Sequence, residues 1–189
     1  MDRLPELTPE NMNEAQRQLA EEIASGPRGG VQGPFPWLLR SPGIAAHVQR
    51  LGAYIRYESA LPGNLRELAI LITARFWRAQ YEWYAHKPIA LKEGVDEAVV
   101  DAIAQHRPPQ FTDDAEAAVH AFCTAMLDSH VIPDTIYQTT LDRLGEEQLV
   151  DLVSLMGYYS LLAMVMATFE IPVPGGEVPL ADQGRHDRV

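Results

Sequence analysis

Apolar side chains recur at three- and four-residue spacing through most of the chain. Met12, Ala15, Leu19 and Ile23 form one stripe, Ile44, Val48, Leu51 and Ile55 a second, and Val119, Phe122, Cys123 and Met126 a third, the period of one helix face. Strand signals are scarce. Helix starts recur at Thr8-Pro9-Glu10, Ser41-Pro42-Gly43, Leu61-Pro62-Gly63, Thr112-Asp113-Asp114 and Ile132-Pro133-Asp134. Four of these set a proline with preset φ near a first turn, two of them after a hydroxyl that can accept an orphan N–H bond. The pattern predicts an all-α fold.

Between the first two helices, seven of the eleven residues from Gly26 to Pro36 are Gly or Pro, so a loop is expected there. Phe35 and Trp37 at its end are expected to dock it to the body. The segment from Asn64 to Leu91 reads as two helices or one kinked helix. Pro88 would remove the bond to the Tyr84 carbonyl, so the bend is expected at residues 84 to 88. Gly94 supplies a stop, Val95-Asp96-Glu97 a restart, and His106 to Phe111 a connector. Glu67 and Glu147 each precede a long apolar helix, a faint sign of duplication.

Leu152 to Phe169 is an uncharged run of 18 residues, the length at which a membrane span must be weighed. Its Ser154, Gly157, Tyr158, Tyr159, Ser160 and Thr168 and its acidic N-terminal flank argue against one. A helix apolar all round is otherwise buried in a large core or between subunits. In 189 residues the second option points to a homo-oligomer. With 47% hydrophobic residues the chain can bury a core without staples. The net charge of −11 and the lack of a basic cluster disfavour nucleic acid. One cysteine, Cys123, allows neither an internal disulfide nor a C-x-x-C pair. The first residues are acidic and proline-bearing where a secretory signal would be basic and apolar, so a soluble cytoplasmic protein is expected.

The chemistry-bearing stretch is Arg75 to His86. Glu82 and His86, four apart, are neighbours on a helix, and on a continuous helix the same face runs back through Arg78, Arg75, Leu71 and Glu67. So polar a stripe among Leu, Ile, Trp and Tyr is either a site or a buried ion network. An imidazole can take or give a proton near pH 7, and a nearby carboxylate fixes its tautomer. Arg75 and Arg78 either neutralise Glu67 and Glu82 or bind a carboxylate through a guanidinium fork. His47, Tyr54 and Glu58 share a face of the second helix and either line the same pocket or serve packing. No residue set secures a metal.

The run R-E-L-A-I-L from Arg66, then T-A-R-F-W-R-A-Q-Y-E-W-Y-A-H ending at His86, then P-I-A-L-K-E-G-V, resembles the carboxymuconolactone decarboxylase family. The likeness extends from Tyr54 to Pro62 and to F-E-I-P-V-P near the end, covering residues 34–174. It implies the alkylhydroperoxidase D-like helical fold and assembly as a homotrimer or hexamer. Residues 1–33 would then be an N-terminal helix and loop, and 175–189 a flexible tail. The peroxidase branch carries a glutamate, a C-x-x-C and a histidine, which fall here on Glu67, Ala79, Glu82 and His86. Without thiols at 79 and 82, dithiol peroxidase chemistry is disfavoured.

For the remaining branch the resemblance implies cofactor-free acid/base chemistry on a small carboxylated lactone or related activated acid. His86 would supply the proton, Glu82 would orient and tune it, and Glu67 would relay. Arg56, Arg75 or Arg78 would hold a substrate carboxylate, with Tyr54 and His47 nearby. The alternative is a non-catalytic helical oligomer holding a small apolar or acidic ligand between Trp37, Trp77, Trp83 and the Met156, Met164 and Met166 group.

Overall fold

The computed structural model describes residues 3–4 and 7–180 and is helical, with no strand among them. Its helices are α1 (Glu14–Ser25), α2 (Phe35–Leu38), α3 (Pro42–Tyr57), α4 (Gly63–Trp77), α5 (Gln80–Lys92), α6 (Glu97–Ala104), α7 (Asp114–Ser129) and α8 (Asp134–Phe169). A single 3-10 turn follows at Pro174–Gly176. The outer part of the expected tail, residues 181–189, lies outside the described residues.

Local chemistry fixes most helix starts. Pro42 opens α3, Pro62 and Pro133 cap α4 and α8, and the Asp96 and Asp113 carboxylates accept first-turn N–H groups. The first helix starts later than Thr8-Pro9-Glu10. Asn13 caps it instead, bonded reciprocally with Gln16 in a capping box, while Met12 lies ahead of the helix and Ala15 is exposed.

Helix α4 is the hub. It packs on α5, α6, α7 and α8, and every residue from Glu67 to Arg75 is buried. Within one chain the all-round burial is that of α4. Helix α8, the described helix long and apolar enough to cross a membrane, buries Leu152, Leu155, Tyr159, Leu162 and Met166 against the body. It leaves Val150, Val153 and Met164 exposed, and it is broken at Gly145, whose φ of 75° and ψ of 173° suit only glycine.

The bend expected at residues 84–88 falls earlier. Arg78 adopts the left-handed conformation (φ 56°), and the N–H groups of Arg78 and Ala79 bond back to the Arg75 and Ala74 carbonyls, closing α4 as a helix end. Pro88 lies inside α5. The charged stripe is thus divided between two helices, and α5 folds back along α4.

Candidate active site

The reversal at Arg78 brings α5 onto the buried face of α4. His86 Nδ1 meets Glu67 Oε2 at 2.7 Å, and Arg66 stands 3.5 Å from the other Glu67 oxygen. On the far side of the ring, Nε2 lies 3.3 Å from the Tyr159 hydroxyl of α8, with the two rings edge to face. Burial, reinforced by the Glu67 charge, pushes the Tyr159 hydroxyl well above its ordinary pKa, so it stays a donor. With Tyr159 donating to Nε2, His86 carries its own proton on Nδ1 and passes that hydrogen bond to Glu67.

Glu82, one turn before His86, is 3% exposed, and neither carboxyl oxygen has a hydrogen-bond partner. Burial alone pushes its pKa well above the carboxylate range. Burial therefore favours its protonated form, in which it has a proton to give. Glu82, His86, Tyr158 and Tyr159 face a cavity of about 260 Å³, which Arg28 and Arg56 also line, with Phe35, Ile89, Leu162 and Met166 supplying apolar wall.

The fold brings Glu67, Glu82, His86 and Arg56 together and leaves the other candidates elsewhere. Glu67, expected as a relay, is delivered by the hairpin to the imidazole itself, whereas Glu82, expected to orient the ring, makes no bond to it despite their spacing. Arg75 is buried away from this cavity and donates from Nε to the Ala104 carbonyl at 2.8 Å, because the break at Arg78 turns its face toward α6. Arg78 is the exposed residue of that break. Tyr54 is directed to Asp151, 3.4 Å from its hydroxyl, and His47 is on the exposed face of α3.

The proposed Trp and Met pocket is dispersed as well. Trp83 is core, Trp77 is partly exposed with its Nε1 donating to Ser160, Trp37 donates to the Leu4 carbonyl, and only Met166 of the three methionines lines the cavity. The sequence reading overlooked Arg28, Tyr158 and Tyr159. Their available signals were a lone cation in a Gly/Pro-rich loop and a tyrosine pair inside an otherwise apolar run.

Residues 42–122 match the sequence model of the carboxymuconolactone decarboxylase family. That match spans 81 of the 189 residues, so the chain resembles this family over less than half of its length. Its segment contains Glu67, Glu82, His86 and Arg56, while Arg28 and the two tyrosines lie outside it. No curated protein sequence matches the chain. Among solved structures, the chain is similar to an uncharacterized peroxidase-related protein from Ralstonia eutropha JMP134 with an alkylhydroperoxidase AhpD core. The TM-score is 0.73 at 16% identity, over 92% of this chain and 93% of that one. A protein of unknown function from Agrobacterium tumefaciens, assigned provisionally to the antioxidant defence protein AhpD, gives a TM-score of 0.60 at 16% identity. That match covers 76% of this chain and 99% of the other. These likenesses establish an alkylhydroperoxidase D-like fold and nothing about activity.

Proposed function

We propose that this protein is a cofactor-independent acid/base enzyme that decarboxylates a small carboxylated lactone or a related activated acid. The observation that carries the reading is Glu82, a buried carboxyl with both oxygens unpartnered, in the same cavity as the Glu67–His86–Tyr159 chain. A structural carboxyl at such depth would be paired. In the proposed step the bond from carbon to the leaving carboxylate breaks, CO₂ departs, and the electron pair moves into the conjugated lactone carbonyl. Glu82 then protonates the carbon that bore the carboxylate and recovers a proton from solvent. As charge develops on the carbonyl oxygen, the Tyr159 O–H turns from His86 Nε2 to the oxyanion, the stronger acceptor, and Arg56 offsets the negative charge brought in by the substrate.

Thiol peroxidase chemistry is poorly supported. Positions 79 and 82 are Ala and Glu, and Cys123 is fully buried in α7, where burial pushes its thiol far above the reactive range. Assembly as a homotrimer or hexamer belongs to the same proposal. Ile44, Leu51 and Tyr57 on α3 and Val150, Val153 and Met164 on α8 are exposed on two helices that pack together, and light scattering of a monomer at micromolar concentration would refute this part. The reaction is tested by following CO₂ release from a carboxylated unsaturated lactone. Release by the wild type that disappears in Glu82→Gln supports the proposal, and release that survives the substitution, or none from the wild type, overturns it.

A further inference from the structure

The loop between α1 and α2 delivers a guanidinium to the cavity with its hydrogen bonds unmade. Gly26-Pro27-Arg28-Gly29 is a turn, closed by the Gly29 N–H on the Gly26 carbonyl at 3.1 Å, with Gly29 at a φ of 71°. From its third position the Arg28 side chain lies over the Phe35 ring, 4.3 Å from the ring centre, a cation-π contact that fixes the plane of the head group.

Room for it comes from Gly52 on α3. A Cβ there would sit 2.0 Å from the Tyr158 hydroxyl and 3.0 Å from Arg28 Nη2. The Arg28 charge and its side-chain contact both oppose the upward push that burial gives the Tyr158 hydroxyl, and that contact falls short of the geometry of a full hydrogen bond. Arg28 Nε, Arg28 Nη2 and the Tyr158 oxygen are all buried and unpartnered.

Nε and Nη2 form one edge of the guanidinium, whose two N–H groups point in parallel and match the two oxygens of one carboxylate. Unmade hydrogen bonds of buried N–H groups are costly, and those of Nε and Nη2 on the half-buried Arg28 lie at the cavity that holds Glu82. We infer that Arg28 is the carboxylate receptor of this cavity, taking a small acid side-on through Nε and Nη2 with the Tyr158 hydroxyl as a third donor. The inference rests on reading the cavity as a site for a small carboxylated molecule.

Arg28 holds a carboxylate that the product keeps, because a cation bonded to the departing group would stabilise the ground state against its loss. The product therefore binds through the same fork. Chemistry and recognition are then encoded separately: Glu67, Glu82 and His86 come from the family segment, and the choice of acid comes from a loop that precedes it.

The test is isothermal titration of the full-length protein with benzoate and with benzamide, which match in size and differ in charge. The wild type should bind benzoate at least about tenfold more tightly than benzamide. Arg28→Gln should weaken benzoate by about tenfold to a hundredfold and leave benzamide unchanged. Arg28→Lys keeps the charge but loses the fork and should fall between, which keeps the test open should Arg28→Gln fail to fold.

Equal benzoate affinity in wild type and both variants, or no benzoate binding by the wild type up to about 20 mM, a limit set by the usual scale of weak binding, would overturn the assignment. Benzoate binding through Arg28 in a protein that releases no CO₂ would sink the decarboxylase reading and leave the receptor standing.

Discussion

Glu67 and Glu82 are buried to the same depth, 2% and 3% exposed, in neighbouring parts of one helical hairpin, yet their surroundings are opposite. Glu67 has a histidine on one oxygen and an arginine near the other, so its negative charge is supported by the fold. Glu82 has neither, and its proton is retained because the charged form has no support. Depth of burial therefore says little about the role of a carboxyl. Its partners decide whether it orients another group or keeps a proton available for a reaction.

The largest expected effects come from removing the proton donor, Glu82, or His86, which positions the oxyanion donor. His86→Gln and Glu82→Gln should each lower CO₂ release about 10²- to 10⁴-fold with the helical dichroism intact. Glu67→Gln, which keeps an acceptor for His86 but loses the charge, should cost less, about tenfold by the usual worth of a charged hydrogen bond. An equal loss in all three variants would erase the distinction between the two carboxyls.

Stability should separate them in opposite directions. The folded state keeps the Glu82 proton to a higher pH than the unfolded chain, whose glutamates release theirs near 4.5. The native state thus binds more protons above that pH, and its stability falls as pH rises toward the folded-state pKa. Glu82→Gln removes this penalty, so its melting temperature at pH 7 to 8 should exceed the wild type by a few degrees, about 2–4 °C per kcal/mol for a chain of this size. The difference should close toward pH 4. Glu67→Gln should melt lower than the wild type at neutral pH.

The smallest effect expected is that of Cys123→Ser on CO₂ release, which should be nearly unchanged. Dithiol-dependent peroxide reduction by the purified protein would contradict the view that the thiol has no part in the site.

Much of the frame was legible because capping and periodicity are local. The prolines and aspartates before α3, α4, α6, α7 and α8 mark those starts within a residue or two. The hairpin was not legible, because a non-glycine residue in the left-handed conformation, Arg78, carries no signal comparable to Pro88 four residues before α5 ends. From that one displacement the other differences follow. Arg75 and Arg78 were expected over the pocket on the assumption of a continuous face, and the break turns one to the Ala104 carbonyl and the other to the surface. Glu67, expected at one remove from His86, comes into direct contact. Arg28 was beyond reach for another reason: a contact between residue 28 and an α8 tyrosine has no spacing to read.

Cys123 has a consequence outside catalysis. As the single thiol in the sequence, fully buried in α7 and suppressed as a thiolate, it reacts with an alkylating reagent only when the packing of α7 on α4 and α8 opens. Its labelling rate is therefore an intrinsic clock for core opening. Slower labelling in the presence of a small acid would report, without any engineered probe, how far occupation of the distant cavity tightens the whole molecule.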